Sequence, residues 1–315
     1  MANANHKVVI TNFSEHKQIT RRTRLGFIGL GFLGSRIARR LVAAGFPMVI
    51  YDLDRAKSAK FGAEAEIAES PATLARNVDV VLSCLPDEHA VEAVYVGPGN
   101  VLQSVKPGAL IIDLSTISPE TSRQLRRAAG HTGSPALDVA VSGSTPSAEA
   151  GTLTLFGGGE KRIFEACDPI FSAIAKQWFY IGPSGSGMAM KLVVNTLLGV
   201  GMQALAEAVA LGSKLNLPRD LVLDTLAKTA VVSPAHAGKL ITAKQHDYSP
   251  QFPIRLMRKD FGLVLTEAAQ ARLEMPATEA ASVVNSEESA AGIEEDFSAV
   301  FRQMEQRAGT KEVIH

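Results

Sequence analysis

Leu25–Ile28 is a short apolar run that passes through GLGFLG directly into SRIARRLVAAG, where Ile37, Leu41 and Val42 fall on one helical face. A strand that becomes a helix across three spaced glycines has few folds open to it. Gly29 permits the tight turn, Gly31 lets backbone amides approach a pyrophosphate, and Gly34 lets the helix pack close against the strand. Leu30, Phe32 and Leu33 complete the turn, and an anion bound there rests on the positive end of the helix. A second apolar run, MVIYD, ends in Asp52, eighteen residues beyond Gly34. That is close to the roughly 20 that separate a dinucleotide-binding turn from its ribose carboxylate. A carboxylate accepts from an adenosine 2′-hydroxyl and repels a 2′-phosphate, so NAD is favoured. Leu53 offers no cation, but Arg55 is near enough in sequence to keep NADP as the alternative. The plain readings are glycines that punctuate a turn and an aspartate that caps a strand end.

The strand and helix alternation continues through DVVLSCLP, ALIIDLST, ALDVAVSG, TLTLFGG and WFYIG. Near-continuous apolar strands need cover on both faces, which predicts a mostly parallel, doubly wound α/β sheet. Beyond Pro183 the texture changes to one long segment rich in Ala, Leu, Val and Met, apolar on several faces, and everything downstream reads as helix. The expected organisation is a flexible tail over 1–23, a Rossmann domain over 24–183, and an all-helical domain over 184–315 joined by that long helix. A helix apolar on several faces needs other helices or a second subunit to cover it.

Composition excludes several classes of protein. With 46% hydrophobic residues the chain can bury a core, and 32 basic against 32 acidic residues leave no net charge to draw it to nucleic acid or an anionic membrane. The two cysteines, Cys84 and Cys167, make neither a disulfide framework nor a metal cluster, and fit a reducing, cytoplasmic compartment. Residues 1–23 carry Lys7, Lys17, Arg21 and Arg22 but no apolar core of a secretory signal, and VVITNF breaks the amphipathic helix of a transit peptide. Asn195, Gln203 and Glu207 interrupt the longest apolar segment, so no membrane span is expected.

Read in order, GFIGLGFLG, CLPDEHAVEAVYVG, DLSTISPETS, DVAVSGSTPSAEAGTLTLFGGG, GSGMAMKLVVN and FPIRLMRKDFGL resemble the successive motifs of the β-hydroxyacid dehydrogenases, over about Leu25 to Phe301. The resemblance implies a Rossmann domain, a helical domain and an active site in the cleft between them. It places Leu85 and Pro86 on the adenosine-ribose side of the cofactor and Thr116 at the nicotinamide ribose. Both segments lie just past the carboxyl ends of strands, where ligands of open α/β sheets bind; an ordinary core residue is the other reading of Leu85. Ser142 and Gly143 resemble the pair that anchors the substrate carboxylate. Ser144 departs from the commoner third glycine, as in some glyoxylate and succinic semialdehyde reductases. Composition alone reads SGSTPS as a surface loop.

Lys191 and Asn195, four residues apart, share one helix face, and a lysine amid Met190, Leu192 and Val193 is costly to bury without a use. By resemblance the lysine is the general acid/base and the asparagine positions it or the substrate oxygen. Apolar surroundings and nearby cations are expected to depress the lysine's pKa. The plain alternative is a lysine snorkelling to solvent. Lys259 and Asp260 match a late Lys-Asp pair whose lysine reaches the cofactor, although Arg255 and Arg258 beside them also suit a solvated face. His236 and His246 read as surface residues. The function implied is an NAD(P)-dependent dehydrogenase or reductase for a small β-hydroxy acid or its semialdehyde or keto form, without metal, assembled as a homodimer or homotetramer. An imine reductase-like enzyme and a catalytically silent dinucleotide-binding module are the alternatives.

Overall fold

A computed structural model describes residues 18–287 and 294–309. The apolar runs become β1 (Leu25–Ile28), β2 (Met48–Tyr51), β3 (Glu66–Ile67), β4 (Val80–Ser83), β5 (Leu110–Asp113), β6 (Ala136–Ser142), β7 (Leu153–Gly158) and β8 (Ala175–Gly182). They form one sheet in the order β3-β2-β1-β4-β5-β6-β7-β8. Every neighbouring pair is parallel except β6 and β7. Strand order reverses beside β1, which opens a crevice at the carboxyl ends of β1 and β4 where open α/β sheets bind ligands. Every residue of β1, β4 and β5 is buried, because helices cover both faces.

Two features of the sheet carry weak local signals. β3 is two exposed residues paired to the edge of β2, too short to show a period. β7 runs antiparallel to β6 because only residues 143–152 connect them, fewer than the dozen or so that a parallel crossover needs. From β7 to β8 the chain passes through two helices, Lys161–Ala166 and Asp168–Ile174, and the pairing is parallel again.

The chain forms two compact units that divide between Lys191 and Leu192, within the helix Ser186–Lys214. In the first, Phe27, Ile37, Leu41, Leu82, Ile112, Val139 and Phe171 belong to one core. The helix Gly34–Ala43 supplies Ile37, Ala38 and Leu41 to it, the face its sequence period marks out. In the second, Met202, Ala206, Val209, Leu240, Met257, Phe261 and Phe301 form a separate core. It is built from Ser186–Lys214 and the helices Arg219–Leu226, Pro234–Lys244, Ile254–Gln270, Pro276–Ser286 and Val300–Arg307. By length and composition Ser186–Lys214 is apolar enough to cross a membrane; here Met202, Ala206 and Val209 pack into the core.

Two expectations change. Of the tail expected over 1–23, residues 1–17 lie outside the described residues. The rest is seated on the fold, with Ile19 4% exposed in the core and the Arg21 guanidinium 4.6 Å from the Phe46 ring centre. His236, expected at the surface, is buried: its Nε2 lies 2.9 Å from the Leu198 carbonyl and its Nδ1 3.0 Å from the Ser233 hydroxyl. Both ring nitrogens are satisfied, so it is a core residue. His246 is exposed.

Candidate active site

The glycine turn at the end of β1 is built for close approach. Gly29 has φ +94°, and a Cβ there would sit 2.3 Å from the Cys84 carbonyl oxygen. A Cβ on Gly34 would sit 2.1 Å from the Gly29 carbonyl oxygen. A Cβ on Gly31 would meet nothing within 4 Å. Two glycines therefore pack the turn, and the middle one keeps the ground above it clear. The helix that follows has no side-chain cap and no acidic residue in its first turn. A pyrophosphate fits this donor set, because backbone N–H groups and the helix dipole both favour an anion.

Asp52 closes the same corner. Its Oδ2 accepts from the Leu30 N–H at 2.6 Å and its Oδ1 from the Asp54 N–H at 2.8 Å, with the Lys57 ammonium 3.5 Å from Oδ1. A carboxylate has about four lone-pair sites, so acceptor capacity is left for a ribose hydroxyl. Lys57 is a cation beside Asp52 that sequence reading passed over in favour of Arg55.

Beneath the next two loops lies a polar network set into the apolar strand ends. Asp113 Oδ1 accepts from the Ser83 hydroxyl at 2.7 Å and the Ser115 hydroxyl at 2.6 Å, and the Tyr95 hydroxyl donates to Ser83 Oγ at 2.7 Å. Ser115 Oγ in turn accepts from the Leu85 N–H at 2.9 Å. Burial pushes the Asp113 carboxyl up, against the pull of its serine donors. The network fixes the loop bearing Leu85 and Pro86 to the segment bearing Thr116. Leu85 is half-buried, with its side chain over Gly29, and is not the core residue of the alternative reading; Pro86 is exposed and Thr116 half-buried. The signal available in sequence was a serine and an aspartate at equivalent ends of two apolar strands. Ser115→Ala is expected to weaken dinucleotide binding about fivefold, the worth of one hydrogen bond near 1 kcal/mol, as read by fluorescence titration.

Ser142 ends β6 half-buried, Gly143 is exposed with φ +133°, and Ser144 precedes the helix Thr145–Ala150. Lys191 and Asn195 stand one turn apart on the helix Ser186–Lys214. Lys191 is only 8% exposed, so this lysine does not snorkel to solvent. Asn195 is 1% exposed, and its Nδ2 donates to Asp260 Oδ2 at 2.5 Å. A carboxylate only accepts, so this bond fixes the amide and leaves Asn195 Oδ1 as a buried acceptor with no hydrogen-bond partner. Lys259 Nζ lies 3.0 Å from Asp260 Oδ1 and is largely buried, unlike a solvated helix face. Asp260 is the group that sequence reading noticed but assigned no role. Among the described residues no group of three or more His, Cys, Asp or Glu is placed to hold a metal ion.

Comparison with known proteins decides what this arrangement belongs to. Residues 24–182 match the model described as the NAD binding domain of 6-phosphogluconate dehydrogenase, and residues 185–304 that described as NAD-binding of NADP-dependent 3-hydroxyisobutyrate dehydrogenase. The chain belongs to the β-hydroxyacid dehydrogenase family. The 2-(hydroxymethyl)glutarate dehydrogenase of Eubacterium barkeri is 35% identical over 91% of this chain and 96% of that protein. Glyoxylate/succinic semialdehyde reductase 1 of Arabidopsis thaliana is 32% identical over 88% and 96%. The structure of 3-hydroxyisobutyrate dehydrogenase from Mycobacterium tuberculosis with L-serine superposes with a TM-score of 0.81 at 28% identity, covering 90% of this chain and 99% of that one. As a member of the β-hydroxyacid dehydrogenases, this chain is an oxidoreductase of CH–OH groups that uses NAD or NADP.

Proposed function

We propose that the enzyme moves hydride between nicotinamide and a small β-hydroxy acid or its semialdehyde or keto form, with Lys191 as the general acid/base. The observation that carries this reading is a buried lysine one turn before a buried asparagine whose amide is oriented by Asp260. The bound nicotinamide supplies the hydride acceptor or donor. In oxidation, neutral Lys191 takes the hydroxyl proton as hydride leaves the carbon; in reduction its ammonium gives that proton to the developing alkoxide. Asn195 Oδ1 calls for a donor, either the alcohol O–H or the lysine N–H. Ser142, Gly143 and Ser144 hold the substrate carboxylate. Gly29 to Gly34 cradle the pyrophosphate, Leu85 and Pro86 flank the adenosine ribose, Thr116 takes the nicotinamide ribose, and Lys259 reaches the cofactor.

Asp52 favours NAD over NADP, and the neighbouring Lys57 is the cation through which a 2′-phosphate gains entry. The test is an absorbance screen of nicotinamide reduction and oxidation with glyoxylate, succinic semialdehyde, tartronate semialdehyde and 3-hydroxyisobutyrate against both cofactors. At least one pair is expected to turn over, with kcat/KM for NAD about tenfold or more above NADP. No turnover with any of them, despite dinucleotide binding, would return the chain to a silent binding module.

The enzyme also assembles. Val193, Leu197, Ala204, Ala208 and Leu211 form an exposed apolar stripe along Ser186–Lys214, with Leu197 72% exposed. A stripe of that length is costly in water, and a second copy related by a twofold axis would cover it. Sedimentation is expected to give a dimer or tetramer at micromolar concentration, and Leu197→Glu to shift it to monomer.

A further inference from the structure

We infer that Asp138 is a positioning residue for Lys191, a carboxylate that locks the start of the lysine's helix onto the strand carrying the substrate anchor. The inference rests on the reading of Lys191 as acid/base given above.

Asp138 lies in the middle of β6 and is 2% exposed, a place where an unpaired carboxylate is not tolerated. Its partners come from the first turn of Ser186–Lys214 and the residue before it. Oδ1 accepts from the Gly185 N–H at 2.8 Å; Oδ2 accepts from the Gly187 N–H at 2.9 Å and the Met188 N–H at 3.3 Å. The Ser122 side chain also bonds the carboxylate. Helices are usually capped by a residue at their own start, which leaves the first turn free to shift against the rest of the fold. Here the cap comes from a strand nearly fifty residues earlier, through charge-assisted bonds that are short and directional. It therefore fixes both the rotation and the translation of that turn.

The surroundings are cut to this contact. A Cβ on Gly187 would lie 2.4 Å from the Phe156 carbonyl oxygen and 2.6 Å from that of Asp138, so the helix start rests on the backbone of β6 and β7. A Cβ on Gly158, the residue paired with Asp138 across the sheet, would lie 2.5 Å from Asp138 Oδ2. Burial pushes the Asp138 carboxyl up and the Gly185 and Met188 amides pull it down.

From this point two short rigid paths lead to groups of the proposed reaction. Lys191 is one turn beyond Gly187, about 6 Å along the axis on the same face. Ser142 is four residues beyond Asp138, about 13 Å along the strand and on the same side of the sheet. A displacement near 1 Å at a reacting group costs up to about a hundredfold in rate. Without the lock, the amine and the substrate anchor are held to each other only by packing.

The experiment compares Asp138→Asn with the wild type, alone and combined with Lys191→Ala, using the substrate and cofactor that the screen identifies. Asp138→Asn is expected to lower kcat about tenfold, to leave the dinucleotide Kd within twofold, and to add less than a twofold loss in the Lys191→Ala background. Amide exchange over 185–191 is expected to quicken in the same variant. Should Asp138→Asn fail to fold, Ser122→Ala, which removes one donor from the carboxylate, is expected to lower kcat two- to threefold at unchanged Kd. Unchanged kcat in the folded variant, or a loss that persists undiminished without Lys191, overturns the inference. Normal turnover by Lys191→Ala alone instead overturns the reading beneath it.

Discussion

Lys191→Ala is expected to lower kcat by about 10²- to 10⁴-fold, the usual worth of a positioned acid/base, while reduced dinucleotide binds as before. The effect falls on kcat because, in the proposed reaction, the amine takes part in proton transfer and does not hold the dinucleotide. Its sign with pH follows. In the proposed reaction oxidation needs the neutral amine, so the wild-type rate of alcohol oxidation is expected to rise with pH and that of reduction to fall. Both limbs are expected to vanish in Lys191→Ala. Rates and pH profiles measured in both directions check this. A variant with normal turnover and the same limbs removes Lys191 from the chemistry.

Asp260→Asn is expected to lower kcat by roughly 30- to 100-fold, about 2–3 kcal/mol. The substitution keeps the size of a side chain that is 1% exposed, but removes its charge and turns one acceptor oxygen into an NH₂ donor. With a carboxylate at position 260, the Asn195 NH₂ has one place to point. With an amide there, that NH₂ no longer has a fixed partner, the Asn195 amide can turn over, and a donor replaces the acceptor that the proposed reaction uses. Lys259 also loses the carboxylate 3.0 Å from its ammonium. If chemistry becomes the slow step, the kinetic isotope effect with substrate deuterated at the carbinol carbon should grow. A structural defect alone would lower the melting temperature and leave that isotope effect where it was.

The two carboxylates that govern the proposed site differ in how they could be found. Asp260 stands in FPIRLMRKDFGL, a motif whose resemblance marks it as part of a site, but its partner Asn195 is 65 residues away and nothing local pairs them. Asp138 stands in DVAVSG and reads there as a polar interruption of an apolar strand. Its function as a cap appears only when Gly185, Gly187 and Met188 are folded against it. The Asp113 network has the same character, since Ser83 and Ser115 become its donors only once β4 and β5 are paired. His236 was misread for the same reason: a polar residue in a helix reads as exposed until the Leu198 carbonyl and the room left by Gly201 give it a buried berth.

The amino-acid sequence by itself determined the glycine turn, its strand and helix, the carboxylate after the second strand, the parallel α/β core and the helical texture beyond Pro183. Each of these follows from periods and spacings within a few residues of one another, where backbone geometry and burial act directly. Tertiary structure alone decided which carboxylate orients Asn195 and which one holds the start of the lysine's helix. Those choices depend on hydrogen bonds between segments distant along the chain, and such bonds are selected by the cost of leaving a buried polar group unpaired once the surrounding core has formed.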